Sequence, residues 1–116
     1  MFQYLKTNSQ KTQVPVFVTA NGINAPGELP KNDEVFHCEL WISTFCQKTK
    51  FINPRAYSYS LKHFAENWDS NLPNSCKYVS NGAFIQAAVN LGYLFRESGI
   101  NCYFNMSIDK SAKAAV

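Results

Sequence analysis

Leu61, Phe64, Ala65 and Trp68 stand at i, i+3, i+4 and i+7, the spacing that lays apolar side chains along one face of an α-helix. Such a stripe is stable only when it is buried against another element, so this segment calls for a helix packed into a core. Ser58 or Ser60 is placed to cap that helix, because a serine oxygen accepts one of the N–H groups left over at a helix start. A second stripe follows at Phe84, Ile85, Ala88, Val89 and Leu91, opened by Ser80 as N-cap and closed by Gly92, where a left-handed residue belongs. Upstream, Val35, Cys38, Ile42, Phe45 and Cys46 also fall at helical spacing, with Leu40 and Trp41 widening the face. Asn32 or Asp33 caps this first helix, Glu34 suits the positive end of its dipole, and its end is expected near Lys48 or Lys50. Asn53-Pro54 then breaks the pattern, since proline pushes its predecessor out of the helical region.

The rest of the chain reads as strands and turns. Met1 to Lys6 fits a strand or a single helical turn, and Thr7 to Gln13 is polar. Val14, Val16 and Val18 alternate with Pro15, Phe17 and Thr19, an edge strand because Pro15 has no N–H for a ladder. Asn21-Gly22, Pro26-Gly27 and Pro30 mark turns, and Asp69 to Ser75 a loop. Tyr93–Arg96 and Asn101–Ser107 read as a hairpin joined by Glu97-Ser98-Gly99. Within it Cys102, Phe104 and Met106 form the core face, and Tyr103, Asn105 and Ser107 the wet face. The expected fold is α+β: a three-helix core with a C-terminal β-hairpin, winged-helix-like in its order, plus an N-terminal edge strand. One domain is expected over 1–116, with strand and loops in 1–31, helical core and hairpin in 32–107, and a frayed tail in 108–116.

Composition narrows the function classes. With 46% hydrophobic and 15% aromatic residues, the chain carries ample core material and reads as folded. A net charge of +3 permits an acidic partner but does not by itself identify a nucleic-acid binder. Cys38, Cys46, Cys76 and Cys102 include no C-x-x-C pair and the chain opens without a signal segment, which suits a cytoplasmic protein with reduced thiols; an even cysteine count also leaves two disulfides open. No apolar run approaches a membrane span, so no membrane association is expected.

Catalytic chemistry finds little to work with. A nucleophile needs an adjacent base held by a third group, and the only histidines are His37 and His63. His37 adjoins Cys38, but helical neighbours point about 100° apart and cannot make a nucleophile–base contact; a capping or surface role is expected. His63 has Glu66 three residues on, within reach on an outer helix face. Single, scattered cysteines do not make a zinc site, and no phosphate loop or H-E-x-x-H motif is present. No enzyme activity, cofactor or metal is therefore expected.

Binding residues are easier to find. The outer face of the third helix is expected to display Asn81, Ala83, Gln86, Ala87 and Asn90, amides that pair with adenine edges and small residues that allow close approach to a groove floor. Cations at Arg55, Lys62, Lys77 and Arg96 are placed to meet phosphates; a plain solvated face is the alternative for Gln86 and Asn90. Tyr57, Tyr59, Tyr78, Tyr93 and Tyr103 offer material for a protein interface. The segments Asn53-Pro54-Arg55-Ala56-Tyr57-Ser58-Tyr59-Ser60-Leu61-Lys62-His63, Tyr78-Val79-Ser80-Asn81-Gly82-Ala83-Phe84-Ile85-Gln86-Ala87-Ala88 and Asn101-Cys102-Tyr103-Phe104-Asn105-Met106-Ser107 together resemble a group of small uncharacterised proteins of bacteria, phages and other mobile elements. The resemblance spans residues 53–107 and implies a mobile-element context, in which short proteins bind DNA or block a host defence protein. Two expectations follow: a non-enzymatic accessory protein binding nucleic acid through helix 81–91 and the hairpin 93–107, or an inhibitor or adaptor, anti-CRISPR-like, acting on a host defence complex.

Overall fold

The computed structural model describes residues 2–7, 10–68 and 78–114, with side chains over 17–68 and 78–112. Among them the chain forms an α+β fold of four helices and two small sheets. The elements run β1 Phe2–Thr7, β2 Gln10–Thr19, β3 Gly22–Ile23, α1 Asn32–Phe45, β4 Cys46–Lys48, α2 Ser58–Asn67, α3 Asn81–Asn90, β5 Phe95–Ser98, β6 Asn101–Phe104, β7 Met106–Ile108 and α4 Lys110–Ala114. The larger sheet has the order β3-β2-β1-β5-β6, antiparallel except where β1 meets β5 in parallel at Thr7 and Phe95; β4 pairs with β7 in the second sheet. The Ile23 N–H also bonds the Ile100 carbonyl at 2.9 Å, so the two ends of the strand order meet at the β5–β6 turn.

Helix α3 lies at the centre. Gly82, Ala83, Phe84, Ile85, Ala87 and Ala88 are all buried, because α1, α2, β2, β3 and β6 all pack against this helix. Ser80 caps it as the sequence predicts, its Oγ accepting the Ala83 N–H at 3.0 Å, and Gly92 follows at φ 86° with Tyr93 N–H bonded to the Ala88 carbonyl at 3.0 Å. Trp41, Phe84 and Phe104 stack edge to face or tilted at 5.8 and 6.1 Å, joining α1, α3 and the hairpin in one apolar cluster.

Several local expectations change. Strand β2 lies inside the sheet order rather than at its edge, although β3 borders it only at Val18 and Thr19, so that at Pro15 its one partner is β1. Helix α1 stops at Phe45, because Cys46–Lys48 are taken up by pairing with Met106–Ile108. Its N-cap is Lys31, with Asp33 Oδ1 accepting the Glu34 N–H instead. Ser58 is no cap: its Oγ is buried between Asn101 Oδ1 at 3.2 Å and the Cys102 N–H at 3.1 Å, and Tyr57 precedes the helix. Residues 108–116 do not begin as a frayed tail: Ile108 closes β7, and Asp109 Oδ1 accepts the Ser111 N–H at 2.8 Å to start α4. The predicted loop at 69–75 lies outside the described residues.

Buried polar side chains account for two further corrections. Asn105, expected on the wet face, is buried between strands: its Oδ1 accepts the Leu94 N–H at 2.7 Å and its Nδ2 donates to the Thr49 carbonyl at 3.0 Å. His37 is likewise in the interior and not at the surface, its Nε2 standing 2.7 Å from the Ala65 carbonyl of α2. Both side chains satisfy backbone groups that water cannot reach.

Candidate functional site

Four separate pieces of chain converge on one cleft of about 450 Å³. The β2–β3 turn brings Ala20 and Asn21, the start of α2 brings Tyr57, Tyr59 and Lys62, the approach to α3 brings Tyr78 and Asn81, and the β5–β6 turn brings Ile100 and Asn101. Their convergence follows from packing. The Gly82 N–H bonds the Ala20 carbonyl at 3.0 Å, and Asn81 Nδ2 donates to the Asn21 carbonyl at 3.2 Å, tying the helix start to the strand turn. On the far side, the Tyr57 hydroxyl accepts from Asn101 Nδ2 at 2.8 Å, and the Tyr57 and Tyr103 rings sit 4.9 Å apart.

Lys62 forms the polar floor. It is only 6% exposed, and its Nζ donates to the Val79 carbonyl at 3.2 Å and pairs with Glu66 Oε2 at 3.4 Å. The same ammonium lies 4.8 Å from the Tyr78 ring centroid and 5.5 Å from that of Tyr59, the arrangement in which a cation is held by aromatic faces. Glu66 is the clasp between α2 and residues 78–80: Oε2 also accepts the Val79 N–H at 3.2 Å, and Oε1 meets His63 Nδ1 at 2.9 Å, the contact that their spacing predicts.

Asn81 is the other unusual member. It is 8% exposed, and while its Nδ2 is bonded, its Oδ1 has no hydrogen-bond partner. A buried acceptor without a donor carries a free-energy cost of about 1–3 kcal/mol, and this oxygen is closed off from solvent.

The predicted site residues separate into groups. Lys62 and Asn81 come together in the cleft. Arg96 lies beside it, its guanidinium 5.3 Å from the Tyr103 ring, and Arg55 is exposed in the turn before α2. Gln86 and Asn90 lie elsewhere on α3, joined by a 2.8 Å bond from Gln86 Nε2 to Asn90 Oδ1, with Asn90 Nδ2 donating to Glu39 Oε2 at 2.8 Å. Lys77 lies outside the described residues. The outer face expected for this helix is not open: Asn81, Ala83 and Ala87 are buried, because small side chains here admit neighbouring elements. Sequence reading missed Asn21, Ile100 and Asn101, whose only signal was their position at turns.

Elsewhere, Cys38, Cys46 and Cys102 are buried thiols; burial pushes the Cys46 thiol up to about 12 and raises the Cys102 thiol as well. A nucleophilic cysteine needs the opposite shift. Among the described residues no helix is long and apolar enough to cross a membrane. The chain matches no protein-family model, and no curated protein or solved structure matches it.

Proposed function

We propose that this chain is a non-enzymatic accessory protein of a phage or other mobile element that binds single-stranded nucleic acid in the tyrosine-lined cleft. The observation that carries the reading is Lys62, held beneath the rings of Tyr59 and Tyr78 in a cleft edged by three asparagines. Stacking rings interleaved with cations are what a flexible strand requires, because every base has a π-face and every phosphate a charge. The reading keeps the two elements that the sequence singles out, helix 81–91 and the hairpin 93–107, but uses their ends. Base contact moves from the outer face of α3, which is largely covered, to Asn81 at its start and to Ile100 and Asn101 at the hairpin turn. The order α1, α2, α3 and hairpin supports a winged-helix-like description with this altered contact surface. Arg96, stacked on Tyr103, and Arg55 are the nearest exposed cations for phosphates.

A second reading has its own observation. Tyr59, Tyr78 and Ile100 are 51%, 61% and 47% exposed and all edge the same cleft, a concentration of large apolar side chains of the kind that anchors a protein partner such as a host defence complex. Fluorescence titration with single-stranded and duplex oligonucleotides over a range of salt separates the two readings. Tight single-strand binding that weakens steeply with salt and is lost in Tyr78→Ala supports the first. Absence of binding to either form at low salt ends it, and recovery of one stoichiometric host protein, dependent on Tyr59 and Tyr78, supports the second.

A further inference from the structure

We infer that Lys62 is a positioning residue, an internal brace for the two stacking rings of the cleft that makes no phosphate contact of its own; the inference rests on the nucleic-acid reading above. Lys62 is 6% exposed, its Nζ donates to the Val79 carbonyl at 3.2 Å, and Glu66 Oε2 stands 3.4 Å away as its counter-charge. A phosphate approaching this ammonium would meet a charge that Glu66 already neutralises, and would have to give up its own hydration to reach it. The cations open to a phosphate are Arg55 and Arg96, both exposed.

What the ammonium does reach is aromatic. It lies over the Tyr78 ring at 4.8 Å and over the Tyr59 ring at 5.5 Å from their centroids. One cation, anchored to the Val79 backbone and to Glu66, thus holds a ring of α2 and a ring from the approach to α3. The His63 ring also meets Tyr59, at 4.7 Å and 88°, so Tyr78 is the freer of the two. Lys62 takes one face of the Tyr78 ring, yet the residue is still 61% exposed, which leaves the opposite face for a base. A ring fixed before binding loses less freedom when a base stacks on it, and that saving is what Lys62 adds to affinity. Its contribution therefore depends on the bases of the strand and is indifferent to the sugar-phosphate chain.

The test titrates the full chain with oligo(dA) and with an abasic strand of equal length over a range of salt. Lys62→Met is expected to weaken oligo(dA) by roughly three- to tenfold. It is expected to leave the abasic strand, and the slope of log affinity against log salt, as in the parent. Arg96→Gln is expected to weaken both strands and to reduce the magnitude of that slope by about 0.7. In a Tyr59→Ala/Tyr78→Ala chain, adding Lys62→Met is expected to cause no further loss, because the rings it braces are gone. Lys62→Gln/Glu66→Gln leaves no buried charge unpaired, and it takes the place of Lys62→Met, with the same results expected, if urea unfolding shows that variant to be unfolded. A shallower salt slope in the folded Lys62 variant, or an equal loss for the two strands, shows that Lys62 meets phosphates and overturns the inference. Unchanged affinity for oligo(dA) overturns it as well, leaving the nucleic-acid reading in place. Failure of the parent to bind either strand at low salt overturns the nucleic-acid reading itself, and this inference with it.

Discussion

Gly82 lies so close to Thr19 that a Cβ at position 82 would overlap the Thr19 carbonyl oxygen, and the Gly82 N–H donates to the next carbonyl, Ala20, at 3.0 Å. This backbone contact seats the first turn of α3 on the end of β2 and so fixes Asn81 against Asn21. Gly82→Ala is accordingly expected to destabilise the fold by about 1–3 kcal/mol or more, since the atom in the way is backbone and cannot swing aside. Urea unfolding measures it. Gly99 is the control: nothing lies within 4 Å of its Cβ position, but its φ is 61°, so Gly99→Asn is expected to be nearly silent because asparagine tolerates the left-handed region.

Glu34 and Ser80 form a second joint of the same helix. Glu34 Oε1 accepts the Ser80 N–H at 2.9 Å in the interior, linking α1 to the residue that caps α3. Glu34→Ala strands that N–H and is expected to cost about 1–3 kcal/mol, whereas Glu34→Gln keeps an acceptor oxygen and is expected to cost less than half as much. Unfolding midpoints of the two variants, compared with the parent, decide; equal losses would show that the carboxylate charge matters more than the bond.

Ser58 makes the third such joint, between α2 and β6. Its hydroxyl both donates to Asn101 and accepts from the Cys102 N–H, and it is fully buried. Ser58→Ala is expected to lower stability by about 1–3 kcal/mol through the unpaired Cys102 N–H. Because Asn101 also holds the Tyr57 hydroxyl, hydrogen exchange at Cys102 and Tyr57 is expected to speed up together in this variant.

What the sequence disclosed and what it hid divide along a physical line. The stripe at Leu61 and Ala65, the Ser80 cap and the Gly92 terminus were legible because each depends on residues a few positions apart. The strand at Cys46–Lys48 was not, since its partner Met106–Ile108 lies far along the chain and nothing local distinguishes it from a helix end. Ala83 and Ala87 misled for a related reason: a small residue suits an exposed groove-reading face and a tightly covered one equally, and only the placement of α1 and the sheet decides between them. His37 and Asn105 look like surface residues until the distant carbonyls they serve, Ala65 and Thr49, are in place. For the cleft, Lys62 and Asn81 were identifiable by chemical type, but their meeting with Tyr78 and Ile100 is a product of the tertiary fold.

The buried thiols predict how the fold responds to alkali. Desolvation raises Cys46 to about 12; it raises Cys102 as well, with Glu97 adding to it, and Tyr93 is raised to about 12 by burial and then by Cys46. In the unfolded chain the thiols release their protons near their ordinary value of about 8.5, while the folded chain still holds them. Between those values the folded state binds more protons than the unfolded one, so stability falls as pH rises, by up to about 1.4 kcal/mol per pH unit for each thiol. Below roughly pH 8 these groups are protonated in both states and contribute no slope. Urea midpoints measured from neutral pH upward are expected to be flat and then to decline, and Cys102→Ala is expected to flatten part of that decline. In a Cys76→Ser chain, which leaves only the buried thiols, an alkylating reagent at mildly alkaline pH is expected to label the folded protein far more slowly than the urea-unfolded one. Equal labelling rates would show that the core around Cys46 and Cys102 opens more readily than its packing implies.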